Sequence, residues 1–238
     1  MDRYNLLAKI GNGVFATIML AESKLDQELY AIKILMKKRL IENDEVKGSK
    51  TEKSVLMKGH IKIVDFITSA EGIADHYGTT KSFCGTNEFI APEILLDISY
   101  GRAVDWWAFG IVMYQMMAWQ SPFSGEDEDE IYDAILAKDP SYPAEFPEDA
   151  VDLTRKLLVK NPEERLGYDR GAKEIMDHSF FDSTDWDALY KKDVTPPFRP
   201  AIRDRNDLSN FDTEYTSTAP DLTPEQSGMF RIPVKLIV

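Results

Sequence analysis

Two stretches near the start of the chain carry residue types that suit phosphate chemistry. Gly11-Asn12-Gly13 lies between the strand-like segments "LLAKI" and "ATIML", where glycine would let backbone N–H groups approach phosphate oxygens. The apolar segment "AIK", which ends at Lys33, follows as a strand with one lysine. Each stretch also has a plain structural explanation, because glycine turns are common in hairpins and a strand lysine usually extends its charge into solvent.

Two acidic residues come next along the chain. Glu52 lies in the helical segment "KTEKSVL", and Asp65 ends the strand-like segment "HIKIVDF". Taken singly, Glu52 fits a solvated helix face and Asp65 fits a strand-end carboxylate. The order of the glycine turn, the strand lysine and the two acids is therefore more informative than any one of them.

The hydrophobic pattern predicts the elements that would position these residues. Residues 4–36 alternate in short apolar runs separated by turns, which is typical of hairpin strands. Residues 40–57 are polar, with a few apolar positions at a weakly helical spacing. A segment rich in Gly, Thr and Ser follows at 68–86, and it is a candidate functional loop because it is longer than ordinary connections.

The second half of the chain has helical periodicity and then a proline-punctuated tail. The spacing predicts helices over 103–119, 127–137, 148–159 and 171–178. The apolar stretch Trp106 to Trp119 is shorter than the roughly 20 residues that cross a bilayer, so we expect a buried helix and no transmembrane segment. Prolines recur in 191–224, which predicts an extended tail on the surface.

Composition limits the class of protein. The 238 residues carry a formal net charge of −13, and this balance argues against a nucleic-acid partner, since phosphate binding requires a basic face. The single cysteine, Cys84, excludes an intrachain disulfide and indicates a reducing compartment. The opening "MDRYNLLAKI" has no long apolar segment of the kind that marks a secretory signal. We therefore expect a cytoplasmic protein.

A glycine loop, a strand Ala-Ile-Lys, a helical Glu and a strand-end Asp-Phe, in that order, resemble the signature set of protein kinases. Downstream, "FCGTNEFIAPE" supplies an Ala-Pro-Glu motif that ends at Glu93, "VDWWAFG" supplies Asp105, and "NPEERLG" supplies Arg165. The segments "ELYAIKIL", "SFCGT", "SPFSGEDEDE", "PPFRP", "SNFD" and "LTP" resemble the AGC group. Within that group they are similar to protein kinase C and protein kinase N, above all to the fungal protein kinase C type.

The resemblance runs from Tyr4 to Thr223, and it implies an α+β fold of two lobes. A small β-rich N-lobe and a helical C-lobe would be followed by the extended C-terminal tail of AGC kinases, with both lobes incomplete. The implied boundaries are a kinase domain over 4–181, made of an N-lobe remnant at 4–58 and a C-lobe at 59–181, and a tail over 182–238. The implied activity is transfer of the ATP γ-phosphoryl group to Ser or Thr of protein substrates in signal transduction.

The family's functional residues can be carried over by position. Lys33 would hold the α- and β-phosphates of ATP, Glu52 would orient Lys33, and Asp65 would bind Mg²⁺. Arg165 would pair with Glu93 in a structural set that also contains Asp105. The implied nucleotide-binding residues are Ile10, Gly11, Asn12, Gly13, Val14, Phe15, Ala16, Ile18, Ala31, Lys33 and Phe211.

Two positions resemble the family's phosphorylation sites. Ser82, just before "FCGT", matches the activation-loop site that an upstream kinase modifies, and Thr223 in "DLTPE" matches the turn-motif site. The simpler explanation of each is a solvated loop residue. Phosphorylation would add about −1.5 to −2 charges, which a basic cluster would have to meet.

Three departures from the family pattern argue against catalysis by this chain. Ala16 replaces the third loop glycine, and Ile67 replaces the glycine of Asp-Phe-Gly with a β-branched residue that restricts the backbone. Only the twelve residues 53–64 separate Glu52 from Asp65, and they span at most about 40 Å. In kinases this interval holds two strands, the hinge, two helices and the catalytic loop with its base Asp and metal-binding Asn.

No other segment replaces the catalytic loop. Arg203-Asp204 in "IRDRNDLSN" imitates its Arg-Asp pair, but it follows Asp65 in chain order and belongs to the tail pattern. The missing helix would also have covered the helix at 103–119. Losing the burial of four large side chains would remove about 6–12 kcal/mol, against a typical domain stability of about 5–15 kcal/mol.

Three hypotheses follow from the sequence. The chain is a protein kinase C-like Ser/Thr kinase whose own catalysis is impaired by the internal deletion. Alternatively, it is a non-catalytic binding module of the pseudokinase kind. The third hypothesis is a fragment that arises from splicing or from a gene-model error, which the abrupt join at Lys58-Gly59 suggests.

Overall fold

The computed structural model describes residues 3–12, 16–36, 73, 78–83, 85–220 and 229–235. The chain divides into two compact units. One, the sheet unit, combines Met1–Ser69 with Trp186–Val238, and the other, the helical unit, is Ala70–Asp185. The predicted helix within 40–57 lies outside the described residues, as does most of the predicted loop at 68–86.

The sheet unit contains a four-stranded antiparallel sheet in the order β1-β2-β3-β4. The strands are β1 Tyr4–Asn12, β2 Ala16–Ser23, β3 Leu29–Met36 and β4 Met229–Lys235. The first three confirm the hairpin-like strands predicted over 4–36. The fourth was not predicted, and it joins the sheet beside β3 from the far end of the sequence.

Alternation of side chains explains why the first three strands form a sheet. Met19, Ala21, Ile32 and Ile34 make one buried cluster, to which β2 and β3 each contribute two residues that lie two positions apart, as one face of a sheet requires. The opposite face carries a second cluster, made of Ala8, Leu20 and Leu29. Both faces of the sheet are therefore apolar at their centre.

The tail of the sheet unit packs on the sheet through side chains. Leu208 contacts the cluster of Ala8, Leu20 and Leu29. The Arg205 guanidinium lies 3.1 Å from a Glu22 carboxylate oxygen. Two short helices interrupt the tail, α6 at Trp186–Lys191 and α7 at Thr213–Thr216. The predicted extended tail at 191–224 is thus extended only in part, because Asp212 accepts a hydrogen bond from the Glu214 N–H and caps α7.

The helical unit confirms the four helices that periodicity predicted. Its helices are α1 Pro92–Leu95, α2 Ala103–Ala118, α3 Glu128–Ala137, α4 Glu148–Leu157 and α5 Ala172–Met176. Short 3₁₀ turns at Asn87–Phe89, Pro162–Glu164 and Ser179–Phe181 join them. Among the described residues, no helix is both long and apolar enough to cross a bilayer.

The core of the helical unit lies on both sides of α2. Trp107 and Ile111 are fully buried in one cluster, where the Trp107 ring stacks on Phe123 with centroids 5.6 Å apart. Gly110 allows α2 to approach α4 closely. A Cβ at Gly110 would lie 2.9 Å from Leu157 Cβ, which is closer than packed atoms come.

The end of α2 differs from the prediction. Trp119 was predicted to belong to a buried helix, but α2 ends at Ala118, and Trp119 takes a left-handed conformation with 94% of its surface exposed.

An acidic run at the start of α3 caps that helix. Asp127 Oδ1 accepts from the Glu130 N–H at 2.9 Å and caps the helix, and Glu130 Oε2 accepts at 2.8 Å from the N–H of Glu126, the residue before the cap.

Candidate functional site

The register of β2 and β3 brings three predicted nucleotide-binding residues to one face of the sheet. Lys33 lies directly opposite Ile18, and Ala31 lies opposite Leu20. Cross-strand partners share a face and side chains alternate along a strand, so Ile18, Ala31 and Lys33 lie on the same side. All three are half-buried. A cationic side chain beside apolar ones suits a ligand with a charged end and an apolar end.

Ile10 extends this face into β1. It packs against the buried cluster of Ala8, Leu20 and Leu29, and Leu20 is the cross-strand partner of Ala31. We call the face that carries Ile10, Ile18, Ala31 and Lys33 the lysine face. Leu208 of the tail packs against the same cluster, so the tail reaches this face as well.

Phe211 lies close in sequence to that tail contact. Its N–H donates to the Leu208 carbonyl oxygen at 3.0 Å, and its side chain is half-buried. The turn therefore holds Phe211 near a residue that packs on the lysine face.

Gly11 and Asn12 lie at the end of β1. Gly11 pairs with Ile18, and a Cβ at Gly11 would make an ordinary contact of 3.5 Å with Ile18 Cδ1. Asn12 is exposed, and its Oδ1 accepts from the Thr17 hydroxyl at 3.2 Å. Among the contacts that the described residues make, none demands glycine at position 11, so its role as part of a phosphate loop stays a prediction.

Several predicted site residues lie outside the described part of the chain. They are Gly13, Val14, Phe15, Glu52, Asp65 and Thr223. Ala16 is described only as the first residue of β2. Within the described residues, no group of three or more His, Cys, Asp or Glu side chains could hold a metal ion. The predicted Mg²⁺ ligand therefore stays a prediction.

Glu93 and Arg165 form a buried ion pair in the helical unit. Arg165 Nη1 donates to Glu93 Oε1 at 2.6 Å, and Nη2 donates to Oε2 at 2.9 Å. Glu93 is 3% exposed and Arg165 is 1% exposed. Such a two-pronged contact is the strongest geometry available to this pair of side chains. The sequence predicted this partnership across 72 positions of chain.

The remaining donors of the Arg165 guanidinium are also satisfied. Nε donates to the Val159 carbonyl at 2.9 Å, Nη1 to the Ala103 carbonyl at 2.9 Å, and Nη2 to the Lys160 carbonyl at 3.1 Å. The guanidinium lies over the Trp107 ring, 5.2 Å from its centroid. Removing one partner of a buried charge pair whose donors are all hydrogen-bonded is costly. These contacts join α1, the start of α2 and the loop after α4.

Asp105, the third predicted structural residue, lies apart from that pair. It belongs to the first turn of α2, and its residue surface is exposed. Desolvation by nearby side chains raises the pKa of its carboxyl, but the exposure means that this desolvation is only partial. Among the described residues, its carboxylate has no hydrogen bond or ion pair.

Ser82 is presented on a fixed backbone. Its carbonyl oxygen accepts a hydrogen bond from the Tyr100 hydroxyl, and its N–H donates to Thr80 Oγ1 at 3.4 Å. Thr80 and Tyr100 pair in an isolated antiparallel bridge, with N···O distances of 2.9 and 3.0 Å. Ser82 itself is exposed, so an enzyme that modifies exposed hydroxyls could reach it.

The Arg-Asp pair of the tail is occupied by local contacts. Arg203 Nε and Nη2 donate to the two carboxylate oxygens of Asp207 at 3.1 and 2.8 Å, and these bonds hold the pKa of Asp207 well below its usual range. Asp204 Oδ1 accepts from the Asn206 N–H at 2.8 Å. Both side chains act within a turn, which agrees with their exclusion as a catalytic loop.

Sequence reasoning missed two residues that support these sites. Trp107 was placed only within an apolar helix, but it stacks beneath the Arg165 guanidinium. Tyr100 was not singled out, although its hydroxyl holds the Ser82 backbone. The signal for Trp107 was its position in "VDWWAFG", whereas Tyr100 has no motif around it.

Comparison with known proteins agrees with this arrangement. A family described as "Protein kinase domain" matches residues 50–181, and one described as "Protein kinase C terminal domain" matches residues 202–235. The chain is 41% identical to "Protein kinase C-like" of Cochliobolus heterostrophus over 95% of its own length and 26% of that protein. It is likewise 41% identical to "Protein kinase C" of Aspergillus fumigatus, over 95% of its length and 28% of the relative.

A third relative matches a shorter part of the chain. "Serine/threonine-protein kinase N2" of Danio rerio is 46% identical over 168 positions, which cover 70% of the chain and 17% of that protein. The chain thus spans about a quarter of the length of the fungal relatives.

The length of the fungal alignments shows a further difference. They extend over 311 positions against the 238 residues of the chain, a difference of 73, so at least that many positions of the fungal kinases have no counterpart here. Two matching families and this identity over nearly the whole chain establish that the protein belongs to the protein kinase C-like family of AGC-group Ser/Thr protein kinases.

Proposed function

We propose that the chain derives from a protein kinase C-like enzyme that phosphorylates Ser and Thr in protein substrates, and that this polypeptide is catalytically impaired. The observation that carries the proposal is the 73-position excess of the alignment over the chain. The twelve residues between Glu52 and Asp65 are the place where the family pattern requires more chain.

Part of a nucleotide site is supported by the lysine face. The apolar side chains of Ile18 and Ala31 beside Lys33 fit an adenine base with its attached phosphates, and Phe211 adds an aromatic ring from the tail. ATP supplies the phosphoryl group in this chemistry, and Mg²⁺ neutralises its charge. Lys33 would hold the α- and β-phosphates. Glu52 and Asp65, the proposed orienting residue and metal ligand, complete the set.

The proposed impairment follows from what phosphoryl transfer requires. The reaction depends almost entirely on positioning and on charge stabilisation. A chain without the base Asp, the metal-binding Asn and the hinge lacks both the group that accepts the substrate proton and the segment that holds adenine. We expect their joint loss to lower the rate of phosphoryl transfer more than any single deletion in such a site would.

A non-catalytic binding role is the second candidate. It is favoured by the state of the helical unit, where the buried pair of Glu93 and Arg165 has its hydrogen bonds satisfied and four helices pack around α2. A unit of this kind could bind a protein substrate or a regulator without transferring phosphate. A fragment produced by splicing or by a gene-model error is the third.

Regulation by phosphorylation is part of the proposal. Ser82 is exposed on a backbone that Tyr100 and Thr80 fix, which supports its modification by an upstream kinase, and Thr223 is the proposed turn-motif site. A cytoplasmic location and the lack of a nucleic-acid partner are also proposals. They rest on the single cysteine and on the net charge of −13.

A phosphoryl-transfer assay tests the proposal. The 238-residue chain, with its intact mass verified, is incubated with radiolabelled ATP, Mg²⁺ and Ser/Thr peptides beside a Lys33→Ala, Asp65→Ala control. We expect labelling no higher than in the control. Labelling that disappears with Asp65→Ala would show that another residue supplies the base, and the impairment would be wrong. Sequencing of transcripts across Met57 to His60 separates the fragment hypothesis from the other two.

A further inference from the structure

The edge of β3 is closed by a strand that comes from far along the chain. β4 pairs with β3 through seven consecutive residues, from Tyr30 opposite Lys235 to Met36 opposite Met229, without a break in register. An open strand edge would expose a row of unpaired N–H and C=O groups. β4 covers that row along most of the length of β3.

A proline within β4 fixes which of its residues can bond to β3. In an antiparallel pair, successive residues direct their N–H and C=O groups alternately toward the partner strand and away from it. Pro233 has no N–H and lies opposite Ile32 in the unbroken register. A proline is tolerated where its nitrogen faces away from the ladder, so the backbone nitrogen of Pro233 faces away from β3, and so does that of Arg231, two residues earlier. The backbone N–H groups of Ile232 and Val234 then face β3.

The same alternation decides which backbone amides of β3 bond to β4. Ile232 is opposite Lys33, Val234 is opposite Ala31, and Phe230 is opposite Leu35. The backbone amides of Ala31, Lys33 and Leu35 therefore bond toward β4. Those of Ile32 and Ile34 bond toward β2, where Met19 and Thr17 are their partners.

We propose that the β3 edge is a binding site for an extended peptide segment, that Met229–Lys235 is its intramolecular ligand, and that this ligand fixes the backbone of Lys33. The segment suits an edge because its outward side includes the residue with no N–H, and prolines on an outer edge prevent a further strand from joining. The kind of ligand follows from the register. It is an extended segment with N–H groups at alternate positions and proline only between them.

The inference does not depend on kinase activity. It rests on the pairing of β3 with β4 and on the position of Pro233, and it would hold if the chain never bound a nucleotide. If the lysine face does bind phosphate, then loss of β4 would also loosen the strand that presents Lys33.

Two proline substitutions one residue apart test the proposal in the full chain. Ile232→Pro removes an N–H that faces β3, whereas Arg231→Pro removes one that faces outward. Residue-resolved amide hydrogen exchange is measured for β3 in both variants. In Ile232→Pro we expect the amides of Ala31, Lys33 and Leu35 to exchange at least about tenfold faster than in the unmodified chain. In Arg231→Pro their exchange should change by less than about twofold.

A peptide in trans keeps the test decisive if Ile232→Pro disturbs the whole sheet. A synthetic peptide with the sequence of Met229–Lys235 is added to that variant, and a control peptide carries residues 232 and 233 in exchanged order. Restored protection at Lys33 with the first peptide but not with the second supports the proposal. Equal exchange in the two proline variants, or no restoration by the first peptide, would overturn it.

Discussion

The two units differ in where their interacting segments lie in the sequence. The helical unit is one continuous stretch of chain, whereas the sheet unit combines two distant stretches. Glu93 of α1 meets Arg165, which follows the 3₁₀ turn Pro162–Glu164, and both residues belong to the helical unit at 70–185. The sheet unit takes its first three strands from 4–36 and its last from Met229–Lys235.

The comparison shows that helices and strands satisfy their backbone groups in different ways. Helices bond within themselves and need neighbours only for side-chain packing, whereas a strand needs another strand for every backbone group on its edge. The sheet unit therefore has a strand from a distant part of the sequence beside β3. The helical unit exposes the Met116 side chain of α2 without opening a strand edge.

The largest expected effect is loss of the buried ion pair in the helical unit. Arg165→Met leaves the Glu93 carboxylate buried without its partner, and we expect the free energy of unfolding to fall by about 3–5 kcal/mol. Urea denaturation followed by tryptophan fluorescence measures this. The double variant Glu93→Met, Arg165→Met is the control, because it removes the buried charge as well, and it should be more stable than the single variant. A loss below about 1 kcal/mol in the single variant would contradict the assigned role.

Substitution of two glycines compares how tightly the two units are packed, and the expected effect is smaller than for the ion pair. Gly110→Ala places a Cβ 2.9 Å from Leu157 Cβ between two helices, and we expect a loss of about 1–3 kcal/mol from overpacking. Gly11→Ala in the sheet unit makes an ordinary contact of 3.5 Å and should change stability by no more than about 0.5 kcal/mol. Thermal unfolding of both variants checks this order. The reverse order would mean that the sheet, not the helical pair, is the tightly packed region.

Two tyrosines test single hydroxyl groups of the helical unit, with effects of no more than about 1 kcal/mol. The Tyr114 hydroxyl donates to the Ser141 carbonyl at 2.6 Å, so Tyr114→Phe should cost about 1 kcal/mol. Within the described residues, the buried Tyr142 hydroxyl has no hydrogen-bond partner, so Tyr142→Phe should cost nothing and could gain up to about 1 kcal/mol. Denaturation at neutral pH separates the two variants, and equal losses would contradict the assignment.

The same tyrosine predicts a pH dependence. Burial raises the pKa of Tyr142 to about 12, above the value of about 10 for an exposed tyrosine. The unfolded chain therefore releases this proton first, and stability should fall as pH rises from about 10 to 12. Tyr142→Phe should reduce that slope. An unchanged slope would mean that other groups account for the alkaline loss.

The sequence predicted the helical unit well because its signals are local. The periodicity at 148–159 placed α4 within two residues of its observed end at Leu157, and α3 has its own cap in Asp127, the residue directly before it. The partnership of Glu93 and Arg165 is not local, and only the family motif predicted it. Trp119 was misplaced because an apolar residue at helical spacing carries no sign that the helix has ended.

The sheet shows where prediction from sequence fails. β4 contains Pro233, and a proline in an apolar run argues against a central strand. Such a proline indicates an edge or an irregular segment but cannot identify β3 as the neighbour. Strand pairing depends on contacts between residues far apart in sequence. The positions of Ile18 and Lys33, by contrast, follow from the hairpin of β2 and β3, whose short connection fixes their register.

Isothermal titration calorimetry of Mg·ATP on the purified chain tests most directly the central claim that the sheet unit retains only part of a nucleotide site. We propose that Lys33 and its apolar neighbours remain as part of the site, and that the chain lacks the segment that would hydrogen-bond adenine. We predict a Kd weaker than about 1 mM, which corresponds to less than roughly 4 kcal/mol of binding free energy. A micromolar Kd that Lys33→Ala abolishes would contradict the account, because it would show that this chain forms a complete pocket without the missing segment.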